Sequence, residues 1–113
     1  MRYQIETLLK KAEKSLSKKE YLKISDRIFD DENDIFDFLL YSVDAYLGDK
    51  KACDAFNNVL VKTITAMNDI NDCAKMFGMK KIFVFDDKNP KSVLKVANDF
   101  NNSVTDFNLD YVD

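Results

Sequence analysis

The sequence predicts an α+β fold. A mainly helical body of about four helices should fill residues 1–78, with a C-terminal strand–helix–strand unit over residues 79–113. Three observations predict it. Apolar residues recur at helical spacing through most of the first 78 positions. The run Ile82-Phe83-Val84-Phe85 is short, continuous and apolar, as in a strand buried on both faces. Phe107, Leu109 and Tyr111 alternate with Asn108, Asp110 and Val112, as in a half-buried strand.

The elements follow in order. Ile5, Leu8, Leu9, Ala12 and Leu16 give a first amphipathic helix, with Lys10, Lys11 and Lys14 on its other side. Ser17 followed by Glu20 is a capping-box pair. It starts a second helix through Tyr21, Leu22, Ile24, Ile28 and Phe29, or marks a kink in one longer helix. The acids Asp30-Asp31-Glu32-Asn33-Asp34 interrupt the apolar pattern and offer caps for a third helix, which should end near Leu47 before Gly48. Asp49 can cap a fourth helix over residues 50–77, which keeps register from Ala52 to Phe77 and meets Gly78. Its weakest section is Asn68 to Asn71, where a break is the alternative to a continuous helix. Asn89-Pro90 is a helix start, carrying Val93, Val96, Ala97 and Phe100 on one face. Asn101-Asn102-Ser103 reads as a loop before the last strand, and a right-handed parallel crossover is the default link between the two strands.

A chain of 113 residues fits one domain. There are no histidines, which excludes Ser-His-Asp and Cys-His catalysis and histidine metal ligands. The two glycines, Gly48 and Gly78, are too far apart to build a phosphate-cradling loop. Met1 to Glu6 opens no apolar run, so no secretory signal is expected, and no stretch approaches the roughly 18 apolar residues of a membrane span. Cys53 and Cys73 sit on one predicted helix, roughly 30 Å apart at the helical rise, so both are expected as free thiols. Free thiols suit the cytoplasm, which is the expected compartment.

The net charge is −3, but it is unevenly placed. Residues 1–25 carry seven basic and three acidic side chains, residues 26–49 one basic and eight acidic. On a wheel of the third helix, Ile35, Phe36, Leu39, Leu40, Val43, Tyr46 and Leu47 share one face, and Asp34, Asp37, Phe38, Tyr41 and Asp44 take the other. Carboxylates beside aromatic rings suit a protein contact, the rings as anchors and the charges to steer a basic partner. The candidate partner-binding residues are therefore Asp30, Asp31, Asp34, Asp37, Phe38, Tyr41 and Asp44. The competing reading has two parts: Asp30 to Asp34 cap a helix and complement its dipole, and Phe38 and Tyr41 are buried in a central helix.

Other chemistry is poorly served. Asp30, Asp31, Glu32 and Asp34 are oxygen ligands at short spacing, but the segment lacks the glycine and distal glutamate of a calcium loop. Asp86-Asp87 follows the apolar run as magnesium ligands do in phosphoryl-transfer folds, yet too few residues follow to complete such a site. Lys10, Lys11, Lys14, Lys18, Lys19 and Lys23 form a basic stripe that could touch phosphates, pair with the acidic helix or simply be solvated. Lysine outnumbers arginine fifteen to two, which argues against sequence-specific base reading and against direct nucleic-acid binding as the main role.

The expected function is a non-catalytic binding protein that inhibits or neutralises a macromolecular partner with a basic surface, without cofactor, metal or membrane. In size and charge pattern it is similar to toxin-neutralising immunity proteins and viral inhibitors of host defence. Mimicry of nucleic-acid phosphates is a special version. The alternatives are a structural protein that self-associates as a homodimer through its C-terminal sheet, and a magnesium-dependent phosphoryl-transfer enzyme using Asp86 and Asp87.

Overall fold

The computed structural model describes the backbone of residues 1–46 and 50–111, and the side chains of residues 1–40 and 56–104. Four α-helices follow one another: α1 over Arg2–Ser15, α2 over Lys18–Tyr46, α3 over Lys50–Met76 and α4 over Pro90–Tyr111. Among the described residues there is no strand. The α+β expectation, with its strand–helix–strand unit, is therefore corrected to an all-helical fold.

The junction at Ser17 is a true helix boundary. Leu16 leaves the helical region with φ −117 and ψ 159, and the Glu20 N–H donates to Ser17 Oγ at 3.3 Å. The acidic cluster, by contrast, starts no new helix. α2 runs unbroken for 29 residues, about 43 Å at the helical rise, nearly the 47 Å long axis of the molecule. The segment holds no proline or glycine, and aspartate costs a helix interior only about 0.7 kcal/mol per residue. The buried register also passes through it, from Ile28 to Ile35 and Phe38.

α2 and α3 form an antiparallel pair and share the largest contact in the fold. The order of cross-contacts shows the direction: Arg27 meets Asp69, Thr63 lies by the Asp34 carbonyl, and Phe38 meets Phe56. α3 is continuous through Asn68 to Asn71. It ends at Gly78, whose φ of 75 is the left-handed value that favours glycine. There the Gly78 N–H donates to the Lys75 carbonyl and the Met79 N–H to the Ala74 carbonyl. The expected stop at Gly48 and cap at Asp49 lie outside the described residues.

Neither expected C-terminal strand forms. The apolar run 82–85 is held by a side chain instead. Asn71, buried on α3, accepts the N–H groups of Ile82 (3.0 Å) and Phe83 (2.9 Å) and donates to the Phe83 carbonyl (2.8 Å). The second strand and the loop at Asn101 to Ser103 are absorbed by α4. The spacing Val93, Val96, Ala97, Phe100, Val104, Phe107, Tyr111 is helical throughout. Three residues of modest helix propensity do not stop a helix whose apolar face continues beyond them. Asn89 caps α4 as expected, its Oδ1 accepting from the Lys91 N–H at 3.1 Å.

α1 and α4 close the other side of the core. Phe36 of α2, Phe83 of the connecting segment and Phe100 of α4 meet around Phe100, with ring centroids 5.2 and 5.6 Å from it. The first backbone N–H of α1, on Arg2, donates to Ser103 Oγ at 2.5 Å. The Arg2 guanidinium grips Glu32 through both carboxylate oxygens at 2.6 and 2.7 Å and meets Glu6 at 2.7 Å. One arginine thus joins α1, α2 and α4.

Candidate functional site

The continuous α2 rotates the expected site. Phe38 is fully buried and packs its ring 5.6 Å from that of Phe56. It is a core residue, and its assignment as a surface anchor is corrected. Asp30 and Asp37 are exposed. Asp31 and Asp34 are half-buried and line an open groove of about 230 Å³ between α2 and α3, with Val61, Lys62, Thr65 and Ala66. The side chains of Tyr41 and Asp44 lie outside the described residues. The seven candidates therefore do not form one described face.

A different face of α2 does assemble. Leu22, Phe29 and Leu40 are 48%, 63% and 66% exposed. At 100° per residue they fall within about 20° of one another, so they form one line along the helix. Asp26, Asn33, Asp37 and Asp30 follow along one flank of that line, all exposed. A third helix that starts in the acidic cluster and carries Asp34 hides this stripe, because Leu22 and Phe29 then belong to another element. The signal was present in the spacing 22, 26, 29, 33, 37, 40 once α2 is taken as one helix.

Most other charges are already committed or solvated. Arg27 clasps Asp69 with two hydrogen bonds, Nε to Oδ2 at 2.7 Å and Nη2 to Oδ1. All six lysines of the basic stripe are exposed, and among the described residues the ion pairs are made by arginine. Asp86 Oδ1 accepts from the Lys88 N–H at 3.0 Å, which ties that carboxylate into a turn. Among the described residues no group of three or more acidic or sulfur side chains could hold a metal ion. No described helix is long and apolar enough to cross a membrane.

Two acids and one thiol are shifted by burial. Burial pushes the Asp31 carboxyl up to about 6, opposed by Arg27 and reinforced by Asp34 and Asp30. Its Oδ2 is buried without a hydrogen-bond partner, which is the geometric face of the same effect. Burial also raises Glu32, with the Arg2 charge and hydrogen bonds opposing. The buried Cys73 thiol is raised by the same cause, which disfavours thiolate chemistry at neutral pH.

Asp31 gives a pH prediction with a definite sign. Folding raises its pKa above the ordinary 3.8, so the folded state holds the proton more tightly than the unfolded chain. Its ionised form therefore costs stability above about pH 6, and that cost fades as the pH falls toward 4. Asp31→Asn should stabilise the protein at pH 7.5 by about 1 kcal/mol, since solvent reaches this half-buried carboxyl and screens it. Near pH 4 the gain should shrink to nearly nothing. Urea titrations of both proteins at the two pH values check it, and the contribution of Glu32 cancels in the difference. A gain independent of pH would mean that the charge of Asp31 is not the cause.

Comparison with protein-family models, with curated proteins and with solved structures gives no match to this chain.

Proposed function

We propose that this is a non-catalytic binding protein that inhibits or neutralises a macromolecular partner with a basic surface, using the outward face of α2. One observation carries the proposal. Leu22, Phe29 and Leu40 stand exposed in line on a single 29-residue helix, with Asp26, Asp30 and Asp37 beside them. Large apolar side chains in line are the form of a helical docking face, with anchors spaced along one side. Carboxylates on the flank raise the association rate of a basic partner and exclude an acidic one. The helix is backed by α3 over most of its length, so the face is rigid before binding.

The aromatic anchor is therefore Phe29, in place of Phe38. Phe29→Ala should weaken the complex about 30-fold, mainly through faster dissociation. Because Phe29 is exposed, the same change should move the stability of the free protein by less than about 0.5 kcal/mol. Asp30→Asn with Asp37→Asn should slow association instead and reduce its dependence on salt. The partner is obtained by affinity capture on the wild-type chain, purified and shown to lose activity on binding. Association and dissociation rates are then measured with the purified components. Equal rates for wild type and both variants would place the contact elsewhere and overturn this reading.

A further inference from the structure

The segment between α3 and α4 folds back onto α3 and leaves an open cavity of about 250 Å³ beside it. Asn68 and Asn71 of α3 line one side, and Lys81, Phe83, Val84, Phe85 and Asp87 of the segment line the other. A bend at Ile82 and a turn at Asp87 curve the segment, so that Lys81 and Asp87, six positions apart, reach the same cavity. The site shares no residue with the outward face of α2.

The polar groups of this cavity divide into spent and free. Asn71 is spent, because its carboxamide holds the backbone of Ile82 and Phe83. The Asn68 carboxamide, one helical turn earlier, makes no hydrogen bond among the described residues. Neither do the backbone N–H and carbonyl groups of Val84 and Phe85. Lys81 and Asp87 are exposed, and among the described residues they pair neither with each other nor with any other charge. One cavity thus carries a free ammonium, a free carboxylate and unpaired amide groups. We propose that it binds a free dipeptide as the zwitterion, the terminal carboxylate on Lys81 and the terminal ammonium on Asp87.

Three features select this class of ligand. The cavity is smaller than the roughly 300–1,000 Å³ of pockets for drug-sized molecules, which limits the ligand to a few bonds in length. Lys81 and Asp87 do not meet, so the two charges of the ligand must also stand apart. In a single α-amino acid they share one carbon, whereas a dipeptide spans about 7 Å. The middle of a dipeptide is a trans peptide unit, whose N–H and C=O point in opposite directions. The cavity has hydrogen-bonding groups on both sides, the Asn68 carboxamide from α3 and the unpaired backbone of the segment.

Amide NMR of the isotope-labelled full chain, titrated with L-alanyl-L-alanine, tests the proposal. The signals of residues 81–87 and of the Asn68 side chain should shift together, with a Kd on the order of 1 mM for so small a ligand. Acetylating the dipeptide's amino end, or amidating its carboxyl end, should each weaken binding about fivefold, the upper range for an exposed ion pair. The variants assign the ends. Lys81→Met should bind the dipeptide and its carboxyl amide alike, yet still prefer the dipeptide to the acetylated form. Asp87→Asn should show the reverse pattern. Both side chains are exposed, so the variants should fold, and their unshifted core signals check that they do. Phe29→Ala should bind the dipeptide as the wild type does, which separates this site from the face of α2. No shift up to about 20 mM, twenty times the expected Kd, would overturn the proposal. So would shifts centred on another part of the chain, or a variant that keeps the full preference of the wild type.

Discussion

Asn71→Leu is expected to cost about 3–5 kcal/mol of stability, among the largest losses of any single substitution in this protein. Leucine keeps the branch at Cγ and the number of heavy atoms but makes no hydrogen bond, and its two bulkier methyl groups add some overpacking to the loss. Asn71 alone satisfies the Ile82 N–H, the Phe83 N–H and the Phe83 carbonyl. A buried backbone group stripped of its partner costs about 1–3 kcal/mol. Three such groups would exceed the expected range if all stayed dry. The neighbouring Val84 is exposed, so the segment can shift toward water and recover part of the loss. Urea unfolding monitored by circular dichroism gives the value. A loss below about 1 kcal/mol would show that residues 82–85 hold their place without Asn71.

Phe100→Ala should cost a similar amount, about 3–5 kcal/mol, for a different reason. The ring is fully buried and touches Phe36 of α2 and Phe83 of the connecting segment. Its removal leaves a cavity where three separate parts of the chain meet. The backbone around it is helical or already pinned by Asn71, so the walls collapse little and the cavity term stays high. The tilted Phe36–Phe100 pair should add a coupling of about 0.5–1.5 kcal/mol in a double-mutant cycle. Stability losses of Phe36→Ala and Phe100→Ala that simply add would remove that coupling. Phe83→Ala belongs to the same cluster, while Phe85 is only half-buried and should cost less.

Local signals carried much of the fold. The Ser17–Glu20 pair, the Gly78 stop and the Asn89-Pro90 start each rest on a few neighbouring residues, and each is realised in backbone hydrogen bonds or dihedral angles. The long helix ending at Met76 was legible for the same reason. What failed depended on distant partners. Residues 82–85 have the composition of a strand, but a strand needs a second strand, and the candidate at 107–112 sits in a longer helical repeat. A buried asparagine eleven positions upstream took the partner's role, and no local pattern marks that. The acidic cluster misled in the opposite direction. Five polar residues in a row look like a boundary, yet Glu32 is neutralised by Arg2, thirty positions away, and α2 continues through. The candidate site suffered from the same error. Once α2 was cut at Asp34, the wheel put Phe38 on the outer face and lost Phe29 from view. Asp30 and Asp37 remain on the surface because they lie close to the true outward stripe in either reading.

The bond from the Arg2 N–H to Ser103 Oγ joins residues 101 positions apart. Closing a loop of that size costs chain entropy before the α1 contacts that repay it can form, so folding is expected to gain this contact after the α2–α3 hairpin. Bonds made after the rate-limiting step influence how fast a protein opens more than how fast it closes. The seam between α1 and the middle of α4 is thus the molecule's kinetic weak point. Native-state amide exchange should find α1 opening independently, while the middle of α3 exchanges only on global unfolding.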